Sequence, residues 1–267
     1  MKLLVIGAGN MGLTYAKAIA ANKLGQLDEI LIFDTDELKK EELKADGRFT
    51  VLNELADGVK SSDYIMIAVK PQIKEVVFEQ IKKHLDDKKV IISIMAGVSI
   101  DTIQNGLGVH KVVRVMPNLP AQLGLGMTTY FPDQSVNSEE MSLVATMLKS
   151  TGELILLTKE DDINTSTAIS GSGPGYVFYF MQGMLDAAKH FGYDDETAKL
   201  LVAQTFEGAV QQFKKGDATP VEWMDRVASK GGTTREALNT FDNYHVREGI
   251  KAGAIACYDR AIELSKG

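Results

Sequence analysis

The chain has little cysteine, a shortage of positive charge and no long apolar run, and each of these narrows the kinds of protein it can be. Only one of its 267 residues is cysteine, so no disulfide can form within the chain. Its 29 lysines and arginines are outnumbered by 36 aspartates and glutamates, which leaves no cationic excess to neutralise a phosphate backbone. The longest apolar stretch, residues 90–100, has about half the length that crosses a bilayer. We therefore expect no nucleic-acid partner and no membrane association.

Cysteine and histidine, which often act as nucleophiles or metal ligands, are scarce in this chain and lie outside its motifs. Cys257 sits among small and apolar residues with no histidine nearby, which favours a buried structural thiol over a nucleophile. None of the four histidines falls in a motif, and their spacing fits no metal site, so we expect them at the surface or at helix ends. The apolar run at the N-terminus breaks at Gly7, too early for a signal-peptide core, and we expect a cytoplasmic chain.

Short apolar runs rich in branched residues alternate with helical patterns over the first 160 residues. The strand-like runs are residues 2–6, 29–33, 64–69, 89–94 and 111–116, with two further runs at 126–131 and 152–157. Such alternation is typical of a parallel, doubly wound sheet with helices on both faces. We therefore predict an α/β fold with its sheet in a domain of residues 1–160.

After residue 160 the pattern becomes helical throughout. Long periodic segments cover residues 175–191, 194–215 and 244–266, and Gly192 and Gly216 occupy positions typical of left-handed C-terminal caps. Residues 176–181 are apolar on every side, and a helix of that kind must be buried all round. In so small a domain this favours a subunit interface over a purely internal core. We predict that residues 161–267 form an all-helical domain that builds a homodimer.

The strongest motif follows the first predicted strand. Gly7, Gly9 and Gly12, with Asn10 and Met11 between them, match the dinucleotide fingerprint at the strand-to-helix turn that it requires. The first glycine permits the turn, the second lets the backbone approach a pyrophosphate, and the third lets helix and strand pack closely. We interpret residues 1–160 as a Rossmann-type nucleotide domain. The alternative is a glycine turn that only permits close packing.

An acidic residue ends the second predicted strand about twenty residues after this motif. Asp34, followed by Thr35, holds the position at which a carboxylate accepts hydrogen bonds from the adenosine ribose, and it would repel a 2′-phosphate. This favours NADH over NADPH without excluding NADPH. Alternatively, Asp34 or Asp36 only caps the next helix.

Three further strand ends supply candidate cofactor residues, because ligands of open parallel sheets bind at the carboxyl ends of the strands. They are Ala68, Val69, Lys70 and Pro71, then Ala96 and Gly97, and then Met116, Pro117 and Asn118. Lys70 either meets a phosphate or carboxylate or is a solvated lysine before a helix-starting proline. The amide of Asn118 is expected to bond a carboxamide or the backbone.

Two turns of small residues precede helices in the second domain. Residues 170–175 read Ser-Gly-Ser-Gly-Pro-Gly, and residues 229–236 read Ser-Lys-Gly-Gly-Thr-Thr-Arg-Glu. Consecutive backbone amides at a helix N-terminus bind a carboxylate well, so each turn is a candidate anion site. The alternative for each is an ordinary helix start capped by a hydroxyl.

Taken in order, these motifs resemble those of pyrroline-5-carboxylate reductases across essentially the whole chain. The segments that carry the resemblance are residues 7–12, 68–71, 114–121, 171–176 and 229–237. The resemblance implies reduction of 1-pyrroline-5-carboxylate to L-proline with NADH or NADPH, the last step of proline biosynthesis. It also implies intertwined helical domains in a homodimer, an active site where one subunit's nucleotide domain faces the dimer's helices, and in some members a ring of dimers.

Carried over by position, the resemblance assigns roles to the turn at residues 229–234. The backbone amides of Gly231, Gly232 and Thr233, beside Ser229, would bind the substrate carboxylate. The hydroxyl of Thr234 would contact the ring nitrogen, which makes it the candidate catalytic residue. Because a threonine hydroxyl is a very weak acid, we expect it to orient the imine and pass on a proton from water.

Two positions depart from the family pattern. Lys230 stands where the family has proline, which loosens the turn and adds a charge that favours a carboxylate. Asp217 takes the place of an acidic residue near the substrate, although it is shorter than the glutamate of some members, which puts a direct role in doubt.

Two other functions fit the same fold. A β-hydroxyacid dehydrogenase needs a catalytic lysine one helical turn after a glycine-rich turn, where this chain has Val177 and no lysine before Lys189. The second is a dimer that binds a dinucleotide without catalysing a reaction. An assay with the imino acid and either dinucleotide distinguishes all three.

Overall fold

A computed structural model describes residues 1–24 and 26–266. The chain divides into two compact units, one formed by Met1–Ser172 together with the end of the last helix from Cys257, the other by Gly173–Ala256. In the described residues no helix is long and apolar enough to cross a membrane.

The first unit is built on one sheet of eight strands. The strands are β1 Lys2–Ile6, β2 Glu29–Phe33, β3 Thr50–Val51, β4 Tyr64–Ile67, β5 Val90–Ser93, β6 Val112–Met116, β7 Gly126–Pro132 and β8 Gly152–Leu156. Their order is β3-β2-β1-β4-β5-β6-β7-β8, and every neighbouring pair is parallel except β6 and β7. The direction of winding reverses between β1 and β4, which is where open sheets of this kind bind their ligands.

Helices cover both faces of the sheet. In this unit they are α1 Asn10–Asn22, α2 Glu37–Asp46, α3 Leu55–Ser61, α4 Lys74–Ile81, α5 Ile100–Leu107, α6 Ser138–Lys149 and α7 Asp162–Ser166, and a π-helical turn, Thr167–Gly171, follows. Successive residues of β1 alternate between two apolar cores, because side chains of a strand point to opposite faces. Leu3 and Val5 pack with Tyr15 of α1 in one core, whereas Leu4 and Ile6 belong to the other. The predicted α/β class and doubly wound sheet are confirmed.

The second unit is all helix, as predicted. Its helices are α8 Gly173–His190, α9 Asp195–Lys215, α10 Pro220–Val227, α11 Thr233–Asn243 and the first part of α12 Val246–Lys266. The ring of Phe180 packs edge-on against Phe206 and Phe241, at centroid distances of 5.7 and 6.1 Å. None of the residues of α8, α10 or α11 is buried.

The division into units differs from the predicted boundary after residue 160. Residues 161–172 belong to the first unit, because side-chain hydrogen bonds tie them to the end of the sheet. Thr129 of β7 bonds Ser166 at 2.6 Å, and Asn118 donates to the carbonyl of Ser170 at 2.9 Å. These contacts join residues far apart in sequence, so a local pattern does not reveal them.

Of the two predicted glycine caps, one is confirmed and one is wrong. Gly192 has a φ of +91°, and its amide donates to the carbonyl of Lys189 at 2.9 Å. Gly216 has a φ of −101° and a ψ of 160°, which is extended backbone. The glycine there makes room instead, since an added Cβ would lie 2.7 Å from the ring of Trp223.

Cys257 is only partly buried, which corrects the expectation of a buried thiol. Its Sγ lies 3.3 Å from the hydroxyl of Ser172, at the two points where the chain leaves and re-enters the first unit. The histidines lie where expected, since His84 and His190 end helical segments and His110 and His245 are exposed.

Candidate nucleotide and substrate sites

The glycine motif forms the turn from β1 to α1 at the point where the winding of the sheet reverses. Gly7 has a φ of +98°, which only glycine adopts without strain, and its amide donates to the carbonyl of Phe33 at 2.8 Å. An added Cβ at Gly12 would lie 2.0 Å from the carbonyl oxygen of Gly7 and 2.9 Å from Ala68. The first and third glycines therefore have the structural roles predicted for them.

The space around Gly9 is open. An added Cβ there would meet nothing within 4 Å, so this glycine is not needed for packing within the chain. Gly9 is the N-cap residue of α1 and has no side chain to satisfy the first amides of the helix. Free amides at the positive end of a helix are an anion site, and the open backbone at Gly9 lets a phosphate reach them.

Asp34 lies beside this turn. Its carboxylate accepts hydrogen bonds from the amide of Ala8 at 2.6 Å and from the amide of Asp36 at 2.9 Å. Asp36, and not Asp34, is the cap of α2, since its side chain accepts from the amides of Leu38 and Lys39. The helix-cap alternative thus holds for Asp36 alone. Asp34 instead connects the end of β2 to the glycine turn, and each carboxylate oxygen keeps further capacity to accept a hydroxyl.

The segment after β4 lies against the same turn. The amide of Ala68 donates to the carbonyl of Ile6 at 2.9 Å, and an added Cβ at Gly7 would be 2.8 Å from the carbonyl oxygen of Ala68. Lys70 is exposed, and Pro71 opens a short 3₁₀ helix. The structure therefore groups Ala68 with the glycine motif and leaves Lys70 in solvent.

The loop after β6 is held by its own side chains. Asn118 donates to the carbonyl of Ser170 and accepts from the amide of Met127, both at 2.9 Å. Its amide therefore bonds the backbone, which is one of the two roles predicted for it, and fixes the loop that contains Met116 and buried Pro117.

A buried cation in β6, whose role sequence reasoning missed, organises the neighbouring strand end. Arg114 is 3% exposed and donates to Glu160 at 2.9 Å and to Asn164 at 3.1 Å. Glu160 also accepts from the amide of Ile100 at 2.8 Å, so its carboxylate connects β6 and α5, while Arg114 itself connects β6 to α7 through Asn164. A charged residue inside a predicted strand is the sequence signal that could have indicated this pair.

At residues 170–175 the predicted helix start is confirmed, since α8 begins at Gly173, and the anion site stays a prediction. The residues before α8 form no open turn, because Thr167–Gly171 continue α7 as a π-helical turn. The amide of Ser172 already donates to the carbonyl of Thr167 at 2.8 Å. Gly171 makes room for the Met116 side chain, whose Cε would be 2.5 Å from an added Cβ.

The second turn, residues 229–232, does form a helix N-terminus without a side-chain cap. Gly231 has a φ of +73°, and Gly232 is the N-cap residue of α11 with no side chain to bond the first amides. The amide of Gly232 donates to the carbonyl of Ser229 at 3.0 Å, which closes the turn. Thr233 and Thr234 are the first two helical residues, and Thr234 is partly buried. The amide of Gly232, one of those expected to bind the substrate carboxylate, is thus already used within the turn, whereas the first amides of α11 remain free for an anion such as a carboxylate.

An arginine at the start of α11 fixes the turn to α10. Arg235 donates to the carboxylate of Asp225 at 2.9 Å and to the carbonyl of Ala228 at 3.1 Å. Lys230 is exposed. Asp217 is exposed in the connection between α9 and α10, and its carboxylate makes no hydrogen bond or ion pair within the described part of the chain.

Two family models match parts of the chain. Residues 160–264 match the model described as pyrroline-5-carboxylate reductase dimerisation. Residues 2–97 match the model described as NADP oxidoreductase coenzyme F420-dependent.

Similar proteins extend over the whole length. The pyrroline-5-carboxylate reductase of Pasteurella multocida is 34% identical, covering 98% of this chain and 96% of its own. That of Corynebacterium melassecola is 33% identical, covering 98% of each chain. A solved pyrroline-5-carboxylate reductase from Coxiella burnetii superposes with a TM-score of 0.89 at 31% identity, covering 99% of this chain and 98% of its own. The Plasmodium falciparum pyrroline carboxylate reductase, solved with NADP bound, has the same TM-score and coverage at 29% identity.

Proposed function

The chain belongs to the pyrroline-5-carboxylate reductase family, and we propose that it reduces 1-pyrroline-5-carboxylate to L-proline with NADH or NADPH. Its catalytic machinery would be divided between the glycine turn of the first unit and the Gly232–Thr234 segment of the second. The observation that carries the proposal is the N-terminus of α11, whose first backbone amides have no side-chain cap and lie directly beside Thr234.

The substrate presents two polar groups that these residues suit. Its carboxylate needs hydrogen-bond donors, and helix amides provide them together with the positive end of the helix dipole. Gly231 and Gly232 expose the backbone at this place because neither carries a side chain. The bond from Arg235 to Asp225 holds the turn in position, so the amides are oriented before the substrate arrives.

The imine nitrogen is the second polar group. Reduction adds a hydride to the ring carbon of the imine and a proton to its nitrogen, and bound reduced nicotinamide supplies the hydride. Thr234 follows the carboxylate-binding amides along the first turn of α11, so one helix end would bind the carboxylate and orient the nitrogen. A neutral hydroxyl accepts one hydrogen bond and donates another, which suits the relay of a proton from water to the nitrogen.

NADH is proposed as the preferred cofactor. The Plasmodium falciparum relative was solved with NADP bound, but here the carboxylate of Asp34 stands at the end of β2 beside the glycine turn. A 2′-phosphate near this carboxylate would meet like charge, whereas the ribose hydroxyls of NADH could donate to it. Ala68, Val69, Ala96, Gly97, Met116 and Pro117 would line the remaining strand ends.

A homodimer is proposed as the working form. The dimerisation model matches residues 160–264, and α8 in that range has 18 residues of which none is buried. Phe178 and Tyr179 are 57% and 85% exposed within the chain. Contiguous apolar surface of this kind marks a protein interface, and a second copy of α8 to α12 would cover it.

The test combines purified protein with 1-pyrroline-5-carboxylate and each reduced dinucleotide in turn. Loss of nicotinamide absorbance with formation of proline is the expected result, with kcat/KM higher for NADH. Binding of dinucleotide without any turnover would contradict the proposal and favour a non-catalytic dimer. Static light scattering on the same sample distinguishes a dimer from a larger ring.

A further inference from the structure

The turn between β5 and α5 is held from the far end of the chain. Gly97 has a φ of +71°, and an added Cβ would lie 2.8 Å from the Cβ of Leu264 and 3.4 Å from its carbonyl group. The last turn of α12 therefore packs directly on the backbone of the Ala96–Gly97 turn. Ala261, one helical turn earlier, is 6% exposed, whereas Leu264 is 48% exposed, so this face of the helix end is packed and the other faces solvent.

The other strand-end turns are supported differently. Asp34 and Phe33 hold the glycine turn, and these residues lie close to it in the first half of the sheet. At the β5–α5 connection one side is fixed by Glu160, which accepts from the amide of Ile100. The opposite side, at Gly97, is in contact with Leu264.

The position of this turn in the sheet indicates which part of a dinucleotide it would serve. A dinucleotide lies across the point where the winding reverses, with its two halves over the two halves of the sheet. Asp34 at the end of β2 belongs to the adenosine half. Gly97 follows β5, on the other side of the β1–β4 reversal, and so belongs to the nicotinamide half.

We propose that Leu264 is a positioning residue for the nicotinamide half of the cofactor, acting through the Ala96–Gly97 turn. This rests on the proposed function, since it takes Ala96 and Gly97 as cofactor residues. Without the helix end, the turn gains freedom on the side that Leu264 now occupies. The backbone beside the nicotinamide ring is then no longer held in one position, while the adenosine site at Asp34 is unchanged.

The test compares a chain that ends at Glu263 with a control that ends at Ser265, which keeps Leu264. Dissociation constants for NADH and for ADP-ribose, which lacks nicotinamide, are measured by calorimetry. We expect the shorter chain to bind NADH about fivefold to tenfold more weakly and ADP-ribose as the wild type does, since a displaced support loosens only the groups it holds. The control should match the wild type for both ligands.

A second variant keeps the proposal falsifiable if the truncation lowers stability. In Gly97→Ala the new Cβ would push against Leu264 and the alanine would be strained at a φ of +71°, so NADH affinity should fall while ADP-ribose affinity stays. Combining Gly97→Ala with the shorter chain removes the clash but not the strain, so the double variant should bind NADH more tightly than the product of the two single effects predicts. Equal weakening of both ligands, or of neither, in the shorter chain would overturn the proposal. A wild type that binds both ligands but does not reduce the imino acid would contradict the proposed function and leave this inference standing.

Discussion

The two compact units bury their apolar side chains to very different degrees. In the first unit every residue of β4 and β5 is buried, and both faces of the sheet have a continuous core. Among the described residues of the second unit, only Ala198, Val202 and Ala228 are both apolar and buried. Large side chains such as that of Tyr179 are exposed. A helical unit of this composition lacks a sufficient core of its own, because burial of apolar surface is the main source of stability.

This difference explains how the chain can separate two tasks. The proposed nucleotide turn is held by a sheet whose core is complete within one chain. The helices that carry the proposed substrate turn have apolar faces suited to a second copy, so assembly and substrate binding would depend on the same unit. Substitutions at matched positions in the two units test this difference.

The largest effect is expected from a charge placed on the exposed face of α8. Tyr179→Asp would put a carboxylate into the proposed interface, and loss of a central aromatic contact there should raise the dimer dissociation constant by about a hundredfold or more. Leu38→Asp is the matched control, since Leu38 is 78% exposed in α2 of the first unit and Tyr179 is 85% exposed. Sedimentation velocity at several concentrations measures both. An unchanged dimer in Tyr179→Asp would show that α8 does not form the interface.

Thr234→Ala tests the chemistry of the second unit. Removing the hydroxyl should lower kcat by about a hundredfold, because the imine loses its partner for orientation and proton transfer. Thr233→Ala is the control, since the proposed role of Thr233 uses only its backbone amide. Stopped-flow or steady-state kinetics measures both variants. Activity of Thr234→Ala within about threefold of the wild type would remove it from the mechanism.

Gly232→Ala separates the carboxylate site from the cofactor site. Its Cβ would lie 2.5 Å from the hydroxyl of Ser229 and 3.2 Å from the carbonyl oxygen of Ser229, so the serine side chain must rotate or the turn must shift, and either disturbs the carboxylate site. We expect KM for the imino acid to rise about tenfold and KM for the cofactor to change little.

Ser229→Ala provides the matching rescue for this variant. Because it removes the hydroxyl that the new Cβ meets, the double variant should regain part of the affinity for the imino acid. Equal losses for imino acid and cofactor in Gly232→Ala would indicate general misfolding instead.

The sequence predicted most of the sheet because its buried strands are apolar runs of ordinary length. The run at residues 2–6 is β1 and the run at residues 29–33 is β2, with identical bounds. β3 was missed, since two residues, Thr50 and Val51, are too few for a period to appear. Helix α6 was also missed, although Asn137 and Glu140 form a capping box that the sequence displays.

The candidate site could be predicted where the spacing of one motif determines the local backbone. It could not be predicted where the geometry depends on contacts between residues far apart in sequence. The glycine turn at residues 7–12 has the shape that its spacing requires. The π-helical turn at Thr167–Gly171 was not predicted, because small residues suit an open turn equally well and the choice depends on contacts with Met116 and Asn118. The contact between Gly97 and Leu264 joins residues that lie far apart in the sequence, and no local pattern relates them.

The smallest effect is expected at Asp34, where the first unit would select between the two dinucleotides. Asp34→Ser removes the charge and also the acceptor of the amides of Ala8 and Asp36, so affinity for both cofactors should fall. The ratio of kcat/KM for NADH to kcat/KM for NADPH should fall by about threefold to tenfold, since the charge that repels the 2′-phosphate is gone. The change is small because like-charge repulsion at a partly exposed site is screened. Asp36→Ser is the matched control, since serine also caps a helix and the substitution removes a neighbouring charge without touching the glycine turn. If Asp36→Ser lowers this kcat/KM ratio as much as Asp34→Ser does, the cofactor preference arises from the summed negative charge of the acidic segment rather than from contact between Asp34 and the ribose. A wild type that already uses NADPH tenfold better than NADH would contradict the role of Asp34 altogether.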